Sequence, residues 1–581
     1  MSQFMSNFAP TNKETSKMKT IPVFCKNTNT WIDVNKGDTL AEVYQQLNLD
    51  MPYGPTNCLV NNRSEGLHYT LNDSRDIEFQ DITTDSGLRT YTRSLFFVLY
   101  KAVNDHYPGA RLRIGMPVSN GYYCTLDIQG GVTDEIAMSL RTYMQDIIKA
   151  DLRFRRVTCH TTDAIDLFRR QGLMQKVKLL ESIGDLYTHY YTLEGTTATP
   201  HSNTGTPTAD FFYGSLLLRT GQLRVFDLMR YGEGLLLRIP DQQNPDLLRP
   251  MKQQDKMFDV LQEEHRWQDI MGISTVGELN RALQDGQITD IVLVSEALQE
   301  KKIARIADAI AADQRIKVVL IAGPSSSGKT TFAKRLCIHL KGCGKKPVQI
   351  SMDNYFVDRV LSPRDENGDY DFENIEAINL DLFNMQMQQL LDGEEVELPF
   401  YDFTTGKNVM SGQYLHLEPE TVLVLEGNHA LNPRMSEKIS PEAKFKIYAS
   451  ALTTIMLDDH NYIPTTDTRL LRRICRDYKY RGYAPQETIR RCASVSAGEE
   501  KWIFPFQEQA DVMINTSLLY ELAALRQQAL PLLEQVPESA AEYTTATRLR
   551  KFLTYFEPMA LDTVPPTSLL REFMGQSAFK Y

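Results

Sequence analysis

The 581-residue chain contains no run of 18 apolar residues, so no membrane-spanning helix is expected. Its first twenty residues, MSQFMSNFAPTNKETSKMKT, are polar and lack the apolar stretch of a secretory signal. Eight cysteines, at 25, 58, 124, 159, 337, 343, 475 and 492, form no CxxC pair. That argues against a zinc site or a disulfide framework and for reduced cytosolic thiols. Positive charge is not in excess either: 63 Lys and Arg against 74 Asp and Glu leave a formal net charge of -11. A broad basic surface for nucleic acid is therefore not expected, although a local patch is compatible with that total. No repeat recurs at solenoid periods. The expectation is a soluble, cytoplasmic protein without a membrane partner, too long for a single core.

The pattern along the chain divides it into six parts. Residues 1–18 read as a flexible leader. Residues 19–85 carry short strands (KTIPVF, NTWIDV, NCLVNN, DIEFQD) around the helix DTLAEVYQQLN, a small α+β unit of the ubiquitin-like, β-grasp kind. Residues 86–245 mix helices and strands: TRSLFFVLYKAVNDHY is periodic as a helix, GYYCTLDI and RVFDLMRYGEGLLLRI read as strands, and HSNTGTPTAD at 201–210 as a loop. Residues 246–315 form a helical, amphipathic connector, and 521–581 a helical tail ending in a last helix after TVPPTS. Between them, residues 316–520 alternate strand and helix, with apolar runs (KVVLIAG, PVQISMD, TVLVLEG) that fit parallel strands buried on both faces. The fold class is thus multidomain α/β and α+β, with a C-terminal doubly wound parallel sheet.

Three of these strands run into reactive groups, at the end of a parallel sheet where ligands collect. The first leads into Gly323-Pro324-Ser325-Ser326-Ser327-Gly328-Lys329-Thr330, a full GxxxxGK[ST] phosphate loop (P-loop). Gly323, Ser325, Ser326, Ser327, Gly328, Lys329, Thr330 and Thr331 are the expected nucleotide-binding set. Backbone N–H groups turn inward around phosphate oxygens at a helix N-terminus, Lys329 reaches the β/γ-phosphates and Thr330 ligates Mg²⁺. The second strand ends at Asp353, a carboxylate that could accept a hydroxyl proton or help hold the metal, or that could simply cap a turn. The third ends at Glu426, where an acidic group would sit beside Mg²⁺ if it is not an ordinary strand-end glutamate. Further on, TRLLRRICRDYKYRGY places Arg469, Arg472, Arg473 and Arg476 at i, i+3, i+4 and i+7, giving one cationic helical face, with Arg481 following. Such a face is either solvated or part of a lid over a transferring phosphoryl group.

With these elements in place, residues 316–520 resemble the uridine/cytidine kinase and phosphoribulokinase family, nucleoside kinase branch. The resemblance rests on the phosphate loop, ISMDNYF, YDFENIEAINLDLF, PFYDFTTG, VLEGNHAL, TDTRLLRRICRDYKYRG and ADVMINTS, in the family's order. It implies ATP- and Mg²⁺-dependent phosphorylation of the 5′-hydroxyl of a nucleoside substrate, uridine or cytidine being expected. Under it, Asp353 is the catalytic aspartate, Lys329 stabilises the transferred group, and Arg476 and Arg481 reach the phosphates. Glu373 falls where an aspartate usually holds the ribose hydroxyls, Tyr401 and Phe403 match aromatics beside the base, and Arg473 matches a substrate-side arginine. Thr330 and Glu426 are the implied metal residues. The base-reading histidine expected after YDF is replaced by Thr404-Thr405-Gly406-Lys407, and Tyr483 stands where a second substrate-binding arginine is common. The phosphate machinery is matched; the base-reading set is altered.

The front half resembles the first two domains of threonyl-tRNA synthetase. Residues 19–85 are similar to a TGS domain through KGDTLAEV, and 86–245 to the editing-associated domain through YPGARLRIGMPVSNGYY and RTGQLRVFDLMR. The synthetase's HxxxH pair and its later Cys and His read here as Arg93 and Phe97, and as Phe212 and Leu216. Phe and Leu offer neither lone pairs nor titratable groups, so this domain is expected to be silent for deacylation and to act as a binding or supporting module. RNA contact through the TGS-like part and a homo-oligomer both remain open. The rival readings are a sugar-phosphate kinase and a regulatory P-loop sensor. Against the sensor stands the absence of an NKxD guanine-reading string after the phosphate loop.

Overall fold

The computed structural model describes residues 19–194, 208–365 and 368–580. The expected leader at 1–18 lies outside the described residues, as does most of the expected loop at 201–210, whose end, Ala209–Asp210, is a short strand.

The first unit is a mixed five-stranded sheet. Thr20–Cys25 and Thr30–Asn35 form a hairpin, Asp76–Gln80 runs parallel to the first strand, and Asn57–Val60 and Arg63–Glu65 complete the other edge. The helix Leu40–Leu47 starts where the sequence marks it. Thr39 Oγ1 accepts from the Glu42 N–H at 3.3 Å, and Glu42 Oε2 accepts from the Thr39 N–H at 2.7 Å, a reciprocal capping box. Leu40 and Val43 then point into a core of Val23, Cys25, Val34, Cys58, Ile77 and Phe79.

In the second unit the long helix Asp85–His106 packs its LFFVL stretch under a four-stranded antiparallel sheet. A separate three-stranded sheet is built on Arg153–His160 and Tyr187–Glu194. Phe97, Phe212 and Leu216 converge in this core, with the Phe97 and Phe212 rings 5.9 Å apart. Arg93 lies beside them and donates through Nε to the Ser215 carbonyl at 3.1 Å.

The third unit is a five-stranded, all-parallel sheet in the order Lys346–Ser351, Thr421–Glu426, Val318–Ala322, Lys444–Ser450 and Val512–Asn515. Its register pairs Ile321 with Glu426 and Ser351 with Glu426, so the carboxyl ends of three strands finish level. Both faces are covered, as the uninterrupted apolar strands require.

The core does not stop at residues 316 and 520. Ile303, Ile306, Ala307 and Ile310 of the helix Ile288–Ala312 pack with Val319, Ile321, Phe332 and Leu336. Leu569 and Phe573 of the tail join the same cluster. The last helix after TVPPTS is only the four-residue turn Arg571–Met574. The excursion at 451–464, between Lys444–Ser450 and the helix Thr465–Arg481, carries the third unit into the second. There Lys176 Nζ lies 2.7 Å from both Asp210 and Asp458, all three side chains at most 1% exposed. Among the described residues no helix is long and apolar enough to cross a membrane.

Candidate active site

The phosphate loop joins the strand Val318–Ala322 to the helix Lys329–Gly342. The turn needs a left-handed backbone at Gly328 (φ +83°), where a Cβ would also overlap the Leu569 side chain. Lys329 is buried and folds back over the loop, donating to the Gly323 carbonyl at 2.9 Å, the Pro324 carbonyl at 3.2 Å and Asn428 Oδ1 at 2.7 Å. Burial lowers its pKa, against the pull of Glu426, Asp353, Glu373 and Glu572.

Level strand ends place the acidic residues around this lysine. Thr330 Oγ1 donates to Glu426 Oε1 at 3.3 Å. Burial, reinforced by the neighbouring Asp353 charge, pushes the Glu426 carboxyl up to about 7. Asp353 is likewise raised by burial and held down by Lys329, Arg481 and Arg476. Glu373 accepts from Asn428 Nδ2 at 2.8 Å; burial raises it, while Arg473 pulls it down. Asn428 therefore ties Lys329 to Glu373. Its position two residues after Glu426, at the acidic strand end, was the only signal of that role in the sequence.

The aromatic pair sits on the hairpin Val396–Asp402/Lys407–Leu415. Tyr401 is buried, with its ring 5.5 Å from Phe356 and 5.0 Å from Phe403. Phe403 is half exposed, and the Arg481 guanidinium stands 5.7 Å from its ring centre. Of the expected pair, Phe403 presents the open aromatic face and Tyr401 backs it.

The arginine-rich helix Thr465–Arg481 corrects the expectation of one cationic face. Arg469 and Arg472 turn inward and are neutralised. Arg469 forks onto Glu499 at 2.5 and 2.7 Å. Arg472, fully buried, pairs with Glu521 at 2.8 Å. Both also brace the phosphate loop from outside, donating to the Ser325 carbonyl at 3.2 Å and the Ser326 carbonyl at 3.3 Å. Spacing placed the four arginines on one side of a helix, but the part of that side bearing Arg469 and Arg472 faces a protein core whose carboxylates lie 30 and 49 residues away in sequence. Arg473, Arg476 and Arg481 remain near Glu373 and Asp353.

Three further participants carried no motif. Glu499 Oε1 accepts from the Ser325 N–H at 3.0 Å. Glu572 Oε2 accepts from the Thr331 N–H at 3.2 Å and from Thr331 Oγ1 at 2.6 Å. Leu569 lies on Gly328.

A parallel sheet, a phosphate loop and level strand-end carboxylates give this domain a P-loop, kinase-like fold. Residues 318–519 match the Phosphoribulokinase / Uridine kinase family. A uridine kinase of Halobacterium salinarum is 31% identical over 33% of this chain and 77% of its own length. One from Lactobacillus helveticus is 29% identical over 34% of this chain and 85% of its own. Among solved structures, a D-glycerate 3-kinase from Cryptococcus neoformans shares 15% identity with a TM-score of 0.20, over 44% of this chain and 87% of that one. Through residues 318–519 the chain belongs to the Phosphoribulokinase / Uridine kinase family. The matched relatives account for about a third of its length.

Proposed function

We propose that this protein is a nucleoside 5′-kinase that uses ATP and Mg²⁺, with uridine or cytidine as its acceptor. The observation that carries the reading is the placement of Asp353 at a strand end beside the phosphate-loop lysine, with Glu373 tied to the same lysine through Asn428. A carboxylate there takes the proton of the acceptor hydroxyl, and Glu373 with Arg473 holds the sugar side. Lys329, Arg476 and Arg481 meet the charge on the transferring group, Lys329 first releasing its loop carbonyls. Thr330 Oγ1 and Glu426 offer an oxygen pair that suits Mg²⁺, an ion that keeps several waters and phosphate oxygens rather than demanding a protein cage. When bound, Mg²⁺ neutralises charge across the phosphate oxygens.

For the front half we propose a TGS-like unit followed by a synthetase-like unit that performs no deacylation. Supporting this are the mixed sheet with its single capped helix and the convergence of Phe97, Phe212 and Leu216 beside Arg93. Phe97, Phe212 and Leu216 are apolar and none of the three can ligate a metal.

The deciding experiment is an ADP-release screen of the full chain against nucleosides and pentose phosphates. Turnover with a pyrimidine nucleoside is expected. Turnover with a pentose phosphate alone replaces the acceptor with a sugar phosphate, and hydrolysis of ATP that ignores every acceptor defeats the kinase reading.

A further inference from the structure

The two carboxylates seated on the phosphate loop are the strongest unexplained feature of the molecule. The helix Lys329–Gly342 begins at Lys329, so the N–H of Thr331 is one of the first-turn donors that have no partner inside the helix. Such amides at the end of a phosphate loop are where nucleotide phosphate oxygens bind. Here the Thr331 N–H and hydroxyl both donate to Glu572, which the chain brings from 241 residues away. At the other end of the loop, the Ser325 N–H is occupied by Glu499.

Glu572 is carried by a well-anchored segment. Ser568, Leu569, Leu570 and Phe573 are fully buried. Leu569 covers Gly328, and Phe573 lies 5.0 Å from the Arg472 guanidinium, which itself braces the loop at Ser326. Lys479 Nζ, on the arginine-rich helix, donates to the Met574 carbonyl at 2.9 Å. The segment thus grips both the loop and the helix that carries Arg473, Arg476 and Arg481.

We propose that the segment Ser568–Met574 is an autoinhibitory strap: the Glu572 carboxylate takes a phosphate position on the phosphate loop, and nucleotide binds only when the strap withdraws. The inference rests on the nucleotide-binding reading of the loop and adds its regulation. Two anions cannot share one amide and one hydroxyl, so occupancy is exclusive. Electrostatics favour exchange once a metal–nucleotide complex arrives. Glu572 stands with Glu426, Asp353 and Glu373 around Lys329, and a nucleotide phosphate arriving on the Thr331 amide would be repelled by the Glu572 carboxylate unless that carboxylate left. Because Met574 is held by Lys479, withdrawal also frees the C-terminal end of the arginine-rich helix. Nucleotide entry and release of that helix are therefore coupled.

The test uses the full chain and a non-hydrolysable ATP analogue with Mg²⁺. Glu572→Gln and Glu572→Ala are each expected to bind the analogue about tenfold or more tighter than wild type, the scale of one lost charge-assisted hydrogen bond. In wild type, hydrogen exchange across residues 566–580 is expected to rise when the analogue saturates the site. This second measurement decides the matter if the variants fail to fold. Equal affinity in wild type and variant, abolished by Lys329→Ala, together with unchanged exchange, overturns the strap and leaves the nucleotide reading intact. Weaker binding by the Glu572 variants makes Glu572 part of the nucleotide site and also overturns the strap. Absence of binding in wild type and variants alike defeats the nucleotide reading and the strap with it.

Discussion

At Asp353 the protein holds a carboxylate in conflict with its surroundings: burial raises its pKa, and Lys329, Arg481 and Arg476 offset that only in part. That balance suits a group that must accept a proton during turnover and lose it afterwards. Under the proposed mechanism, Asp353→Asn keeps the shape and removes the proton acceptor. Turnover in the ADP-release assay is expected to fall by about 10²–10⁴-fold, while affinity for the ATP analogue stays close to wild type. A variant that turns over at the wild-type rate would remove Asp353 from the mechanism. The same residue was legible in the sequence because a strand end is a local feature. The loop-bound carboxylates Glu499 and Glu572 were not, because nothing within several residues of either marks it as facing a phosphate loop.

The arginine-rich helix shows what spacing alone leaves undecided at the scale of an element. Periodicity puts Arg469, Arg472, Arg473 and Arg476 on one side, but only packing chooses which of them meets Glu499 and Glu521 in the interior. Arg472→Met strands the buried Glu521 carboxylate and is expected to cost about 3–5 kcal/mol in urea unfolding. The double variant Arg472→Met/Glu521→Leu should recover most of that loss, since an apolar pair of similar volume replaces both charges.

A second helix offers a pH test. Glu278, in the first turn of Val276–Gln284, is partly buried, which would raise its pKa. The Ser274 amide at 2.9 Å, Lys178 and Gln175 outweigh burial and hold it at about 2, below its ordinary 4.5. A depressed carboxylate stabilises the fold above its unfolded pKa and loses that contribution as pH falls toward the folded one. Glu278→Gln is therefore expected to lower stability at pH 7 by on the order of 2–3 kcal/mol. The deficit should narrow between about pH 4.5 and 2, read from urea curves across that range.

For the whole molecule, the excursion at 451–464 joins the second unit to the kinase sheet through Lys176, Asp210 and Asp458. Arg111 adds bonds to Asp459 at 3.0 and 2.8 Å. Burial would raise Asp210, but Lys176 and His460 keep it lowered. Lys176→Met leaves two carboxylates buried without their cation, an expected loss of about 3–5 kcal/mol. Calorimetry should show the kinase and the second unit separating from one transition into two. The loss should shrink on acidification, because a protonated aspartate no longer needs the lysine.

The sequence by itself determined the parallel sheet, the phosphate loop and the acidic strand ends, since each depends on neighbours within a few residues: apolar runs, glycines at a sharp turn, a carboxylate after a strand. It also marked the helix of the first unit through DTLAEVYQQLN, whose start the structure closes with the Thr39–Glu42 capping box. Only the tertiary structure decided which arginines are neutralised, that the helix Ile288–Ala312 and the tail belong to the kinase core, and that Glu572 rests on Thr331. Those pairings join residues from 30 to more than 200 positions apart. Local pattern sets which groups an element carries and along which face, whereas burial of that face against distant segments sets which charges meet.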